Sequence, residues 1–304
     1  MVEVTEALAR NVGEVWGDDG RRWLGRLPAM VDAVAREWSL EIGPAYVLSF
    51  HWVARVRLAD GSDAVVKLGL PHAPHLRREA ATLECFDGHG AVRLLAHDPS
   101  LGALLLERAV PGSMARELVP RNDIEATDAA IGVLRRLHSA AWPADGLPEL
   151  HTERQAFVDH LAAYPGDDPL PRDLVVAGLR TFDDLCASAT RRVVLHGDLH
   201  HDNLLRSDRE GWLAIDPHGW VGDPGFEAGP LLYNPDPERH DDGLLALVPR
   251  RVEQLADGLG LPVDRVAAWG FAAAVLSEVW SAEDGGRAGH RPLCVARLLA
   301  PRLP

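Results

Sequence analysis

The chain has 304 residues, enough for one large domain or two lobes with separate cores. Its 45 acidic and 31 basic side chains leave a net charge of −14 and no basic stripe, which excludes nucleic acid as a partner and suits a cationic ligand. Cys85, Cys186 and Cys294 are odd in number and far apart, the start MVEVTEALARN lacks signal-peptide charge, and no run reaches the ~20 apolar residues of a membrane span, so a soluble cytoplasmic protein with no membrane partner is expected.

Residues 4–38 carry Leu24, Leu27, Val31, Val34 and Trp38 at three- and four-residue steps, which predicts a helix with one apolar face. From about Tyr46 the period changes to two. Trp52, Ala54, Val56 and Leu58 alternate with Val53, Arg55 and Arg57, and Asp60-Gly61 marks a tight turn. In the return strand Ala64, Val66 and Leu68 face the core, while Lys67 faces the other way beside Val65. Lys67 is the single lysine among 31 basic residues, so arginine fills the places where the two are interchangeable. Lys67 therefore marks a place that requires a compact ammonium on a flexible stem.

His75–Phe86 reads as a helix that offers Glu79 and Glu84. Leu101–Ala109 is an apolar strand ending at Glu107-Arg108, followed by Pro111-Gly112. Asn122 and Glu125 then form a capping pair, and Ile124, Ile131, Leu134 and Leu137 a helical stripe up to His138, a core or interface histidine. Helices are expected over 152–163 and 172–187 and, after an irregular glycine- and proline-rich stretch, over about 238–258, 264–283 and 291–300. Ser277, Glu278, Trp280, Glu283 and Asp284 gather at the end of the second of these last three, as a substrate wall or as a solvated helix end.

The chemistry concentrates in VVLHGDLHHDNLLRSDREGWLAIDP, residues 193–217. Two short apolar runs flank a polar loop and a hairpin, and a carboxylate closes each run: Asp198 after the first, Asp216 after the second. Asp198 and Asn203 stand five apart, and Asp216 follows the hairpin. Phosphoryl transfer from ATP needs these three groups: a carboxylate for the acceptor hydroxyl, an amide oxygen for Mg²⁺, and a second carboxylate on the same metal. A rival reading is a zinc site, since His196, Asp198, His200, His201 and Asp202 are dense in ligand types and His218 is near.

His196-Gly-Asp198-Leu-His-His-Asp-Asn203 resembles the kinase catalytic loop, and Ile215-Asp216-Pro217 sits where kinases carry Asp-Phe-Gly. The Gly after His and the Asp-Pro pair are similar to the aminoglycoside phosphotransferase family rather than to protein kinases. With RVRLADGSDAVVKL and AIDPHGWVGDPGFEAGPLL, the chain most resembles the aminoglycoside and hydroxyurea phosphotransferases, the branch that contains streptomycin 6-phosphotransferases. The resemblance covers about residues 41–300.

That resemblance implies a two-lobed α+β protein-kinase-like fold, with an antiparallel-sheet N-lobe and a mostly helical C-lobe. A helical segment, 1–40, would pack on a nucleotide-binding N-lobe, 41–109, and the C-lobe, 110–304, would hold the catalytic and substrate residues. ATP and Mg²⁺ are the implied cofactors. Asp198 would orient the acceptor hydroxyl and take its proton, Asn203 and Asp216 would hold Mg²⁺, and Lys67, held by Glu79 or else Glu84, would grip the α- and β-phosphates. Adenine would bond to the hinge main chain at Glu107 and Ala109. Ser49 falls in the loop that should cover the phosphates, although Ser49-Phe50-His51 contains no G-x-G-x-x-G. The family's G-D-P motif is matched at Gly222-Asp223-Pro224, and Glu227 stands where the family has an acid supporting the catalytic loop. Asp223, Glu227, Glu278, Trp280 and Glu283 are the substrate-side candidates, with acids to attract a guanidino or amino sugar. The implied reaction moves the ATP γ-phosphate to a hydroxyl of a streptomycin-like antibiotic, conferring resistance. The alternatives are an amino sugar, amino alcohol or hydroxyurea as acceptor, a non-catalytic nucleotide-binding protein, or a metallohydrolase.

Overall fold

The structure, a computed structural model, describes residues 4–46, 50–141, 146–283 and 289–302. Helix α1 spans Glu6–Glu37 and opens on Thr5, whose hydroxyl accepts from the Leu8 amide. The sequence predicts one continuous helix here. The structure breaks it at Gly17, at φ 54°, so that the first segment folds back and Gly20 packs directly on the Val12 carbonyl. The buried face carries Leu8, Val12, Trp23, Leu27, Met30, Val31 and Val34.

Five antiparallel strands follow, β1 Glu41–Ala45, β2 Trp52–Arg57, β3 Asp63–Leu68, β4 Leu94–Asp98 and β5 Ala103–Glu107, in the order β1-β2-β3-β5-β4. β1 and β4 have no clean alternation and were not legible as strands. One face of the sheet buries Trp52, Ala54, Val56, Ala64, Val66 and Leu68 against α1. On the other face α2, Pro74–Phe86, presses Leu76, Ala80, Leu83 and Phe86 into a core that continues into the second lobe.

β6, Pro111–Met114, leaves the small sheet and pairs with β8, Leu204–Ser207, which pairs with β9, Gly211–Ala214. Helices α3 Asp123–Leu137, α4 Arg154–Ala163 and α5 Arg172–Ala187 precede β7, Val193–Leu195. β7 pairs with β10, Trp220–Gly222. The chain ends in α6 Ala228–Tyr233, α7 Asp242–Leu245, α8 Val248–Leu259, α9 Val263–Glu283 and α10 Arg291–Leu299. The helix expected over 238–258 is split into α7 and α8, with Pro249 in the first turn of α8, where its missing N–H costs nothing. α9 is apolar all round because it is packed by α5, α6, α8 and α10. No single helix among the described residues is long and apolar enough to cross a membrane.

The start of α3 differs from expectation. Asn122 makes no side-chain cap and Ile124 is 52% exposed. Asp123 turns inward instead and accepts from buried Arg251, whose guanidinium also donates to the Leu231 and Asn234 carbonyls. A charged pair at this lobe's centre is thus hydrogen-bonded throughout, the condition for burying it.

Candidate active site

β3 delivers Lys67 to the cleft. Its register pairs Lys67 with Val53 and Leu104, and the alternation that sends Val66 and Leu68 to α1 sends Lys67 to the opposite face. There Nζ lies 2.7 Å from Glu79 Oε2 and 2.5 Å from Asp216 Oδ1. Of the two glutamates that the sequence offers on α2, Glu79 is buried in the cleft and Glu84 is exposed. Burial disfavours the Lys67 charge, yet Asp216 and Glu79 outweigh it and hold the ammonium's pKa above the ordinary lysine value. Burial pushes the Glu79 carboxyl up, with Lys67 offsetting part of the rise. Asp216 goes the other way: against the cost of burial, Lys67 holds it well below the usual carboxylate range.

Asp216 takes the left-handed φ of 61°, which turns its carboxylate out of β9 and toward the lysine. The loop after β7 makes a similar turn at Gly197, φ 84°, where any Cβ would collide with the Trp220 ring. Glu227 braces this loop from below, accepting from the His196 amide at 2.6 Å and the Gly197 amide at 3.1 Å. His196 spans the two halves: Nδ1 accepts from the Asp198 amide and Nε2 meets the Ile215 carbonyl at 2.9 Å. Burial keeps that ring neutral.

Asp198 is flanked by His200 Nε2 at 3.6 Å and His218 Nε2 at 3.7 Å. Burial works against its charge, but His200 more than compensates, so Asp198 stays ionised. Burial also opposes charge on His200; Asp198 and Asp202 overcome it and raise the imidazole to about 10. Asn203 points its amide nitrogen at the Asp198 carbonyl, 3.0 Å, and at His200. The side-chain oxygen of Asn203 and the half-exposed carboxylate of Asp216 are thus available to a hard cation, and an oxygen pair of this kind suits Mg²⁺. Among the described residues, no three His, Cys, Asp or Glu side chains converge as a metal-ligand set. His196 acts as a pin and His200 as an ion-pair partner, while His201 is fully buried away from the carboxylates of the site, which removes the footing of the zinc reading.

Several substrate-side candidates are corrected. Asp223 is buried and accepts from Gly225, Arg265 and the Trp269 indole. Glu227 is fully buried beneath the loop, the supporting place that the resemblance also implies, so it faces no ligand. Glu278 is buried too, and it accepts from the amides of Gly289, His290 and Leu293, tying the entry of α10. An acid near a helix end reads the same in sequence whether it faces solvent or an unpaired amide. Glu283 is exposed at the end of α9. The Glu107 carboxylate is taken up by Arg209 and the Arg93 amide, its own amide donates to the Arg93 carbonyl, and nearby Ala109 is buried. Ser49 and Asp284 lie outside the described residues.

Trp280 is linked to the surroundings of Asp198 along two routes. Its ring stacks on Trp220, centroids 6.2 Å apart and planes 7° from parallel, and Trp220 meets His218 edge-on. One turn earlier on α9, Ser277 lies beside Tyr233, whose hydroxyl is raised by burial and by the charge of Asp198. The sequence had set His218 near Asp198 only as a candidate zinc ligand, and it gave no sign of Tyr233 and Trp220 in these surroundings.

The profile of the aminoglycoside/hydroxyurea antibiotic resistance kinases matches residues 48–285. The chain is 35% identical to the streptomycin 6-kinase of Streptomyces glaucescens, covering 95% of this chain and 94% of that one. It is also 35% identical to the hydroxyurea phosphotransferase of Kitasatospora aureofaciens, over 99% and 87%. The fold is shared with choline kinase LicA from Streptococcus pneumoniae, at 14% identity and a TM-score of 0.62 over 90% of this chain and 98% of that one.

Proposed function

The chain belongs to the aminoglycoside/hydroxyurea antibiotic resistance kinase family, and from that membership we propose that it transfers the γ-phosphoryl group of ATP to a hydroxyl of a streptomycin-like aminoglycoside, conferring resistance. The observation that carries this is Lys67 Nζ bridging Glu79 and Asp216 beside a loop that presents Asp198 and Asn203. Lys67, held by Glu79, grips the α- and β-phosphates. Adenine bonds to the main chain at Glu107 and Ala109. The small lobe, 41–109, thus takes the nucleotide and 110–304 the acceptor, with the helical segment 1–40 as the small lobe's support. Asn203 and Asp216 would hold Mg²⁺, which would supply charge neutralisation at the phosphates.

Asp198 orients the acceptor hydroxyl. A bond forms from that oxygen to the γ-phosphorus, the bond to the β-bridging oxygen breaks, ADP leaves, and the hydroxyl proton passes to Asp198. The transition state is loose, so positioning and charge stabilisation carry most of the rate. With Asp223, Glu227 and Glu278 occupied inside the fold, the acceptor wall is Trp280, His218 and Tyr233, with exposed Glu283 at its rim. A planar guanidino group stacking on Trp280 fits this wall better than a carboxylate cage does. An ATP-using enzyme with three free cysteines works in the cytoplasm.

A second acceptor class, hydroxyurea, stays open because the hydroxyurea phosphotransferase is as similar in sequence as the streptomycin kinase. The test is ATP consumption and product mass with streptomycin, other aminoglycosides, hydroxyurea and choline. Asp198→Asn should lose about 10²–10⁴-fold in kcat on the preferred acceptor and keep ATP binding. No phosphorylated product with any of these acceptors would overturn the proposal.

A further inference from the structure

Kinase sites need donors over the phosphates, and a glycine-rich loop supplies them where its backbone can approach closely. Here the segment between β1 and β2, YVLSFH at 46–51, holds no glycine. Its last residue lies where a side chain can take over that task.

The strand register places it. β2 and β3 pair Val53 with Lys67 and Trp52 with Leu68. Trp52 and Leu68 face α1, while Val53 and Lys67 face the cleft. One step further along the ladder, His51 stands opposite Gly69 on the cleft face, two residues along from Lys67. The structure has this contact: a Cβ on Gly69 would lie 2.6 Å from His51 Cδ2 and 3.2 Å from Nε2, so the imidazole rests in the space that the missing side chain leaves. Phe50, on the opposite side of the chain, sets its ring edge-on to Trp16 of α1 at 6.4 Å, which holds the strand entry with His51 pointing inward. The ring is near enough to Lys67 and Asp216 for both charges to act on it.

We propose that His51 covers the nucleotide phosphates, its imidazole N–H donating to a phosphate oxygen in place of glycine-rich-loop amides, with Gly69 as the gap that admits the ring. The inference rests on the ATP-using reading above. A donor to an anionic oxygen is a strong hydrogen bond, and it touches only the phosphate end of the nucleotide.

Calorimetric titration of wild-type enzyme, His51→Ala, His51→Gln and Gly69→Ala with Mg·AMP-PNP and, separately, with adenosine tests it. His51→Ala should bind Mg·AMP-PNP about ten- to a hundred-fold more weakly with adenosine affinity unchanged. His51→Gln, which keeps a side-chain N–H, should recover most of the loss, and Gly69→Ala should weaken Mg·AMP-PNP in the same selective way. Affinity for Mg·AMP-PNP within about two-fold of wild type in His51→Ala would overturn the inference. So would an equal loss of adenosine, the mark of a merely structural role. Wild-type enzyme that binds no Mg·AMP-PNP at all would overturn the ATP-using reading itself.

Discussion

Lys67 concentrates the residue-scale chemistry. From sequence it is a strand residue that faces the cleft and not the core, and on that ground alone its replacement by arginine should spare the fold. The structure changes the second half of that expectation, because the side chain is 6% exposed and enclosed by Glu79 and Asp216. Arginine is larger, planar and less able to sit between two carboxylates. Lys67→Arg should therefore raise the KM for ATP strongly and also cost about 1–3 kcal/mol of stability by overpacking. ATP kinetics beside a melting curve check both. Native-like values in both would mean that the lone lysine is an accident of composition.

Among the elements, the loop after β7 matters most, because the site is assembled by bonds that cross between elements. Glu227, from the turn before α6, holds two amides of that loop, and His196 ties the loop to the end of β9. Gly219, at φ 77°, lies so close to Thr82 of α2 that a Cβ would collide with it, so the two lobes meet tightly just beyond Asp216. Replacing Glu227 by Gln turns one acceptor into a donor facing a buried N–H. The expected cost is about 1–3 kcal/mol in stability. Displacing Asp198 should lower kcat by up to about 10²-fold. The KM for ATP should change little, since Lys67 and Glu79 belong to other elements. A Glu227→Gln enzyme with wild-type kcat and wild-type melting temperature would show that the brace is dispensable.

Over the whole molecule, buried histidines of opposite sign shape the pH dependence. His201 is fully buried with neither ring nitrogen hydrogen-bonded, and burial lowers it to about 3; buried His196 is also lowered. Below their ordinary pKa of about 6.5 the unfolded chain binds these protons and the folded one resists them, so stability falls as the pH drops from there toward 3. His200 is raised to about 10 by Asp198 and Asp202, against the opposing effect of burial. Its stabilisation is complete below about 6.5 and is lost as the pH rises toward 10. The histidine contribution should thus peak near pH 6.5, with limbs of about 1.4 kcal/mol per pH unit for each group. Denaturant unfolding across pH should show His201→Leu flattening the acid limb and His200→Asn the alkaline one. Unchanged limbs in both variants would refute the assignment.

The short-range patterns were enough for some of this. Period-two alternation around Lys67 set it on the cleft face, and the five-residue spacing from Asp198 to Asn203 with Asp216 after a hairpin carried the resemblance from which the kinase-like fold and the reaction were expected, because each is a local constraint on backbone and side-chain direction. The resemblance already favoured Glu79 over Glu84, and the packing of α2 on the sheet gives the physical reason, burying Glu79 and leaving Glu84 exposed. Only the tertiary structure decided the fates of Asp223 and Glu278, and only it showed which amides Glu227 holds. A carboxylate's task depends on which amides and guanidinium groups arrive from elsewhere in the chain, 31 residues away for Glu227 and His196, and sequence records none of those meetings. His51 belongs to the same class: its place over the phosphates follows from strand register and from a glycine on the neighbouring strand, a pairing that exists only once the sheet has formed.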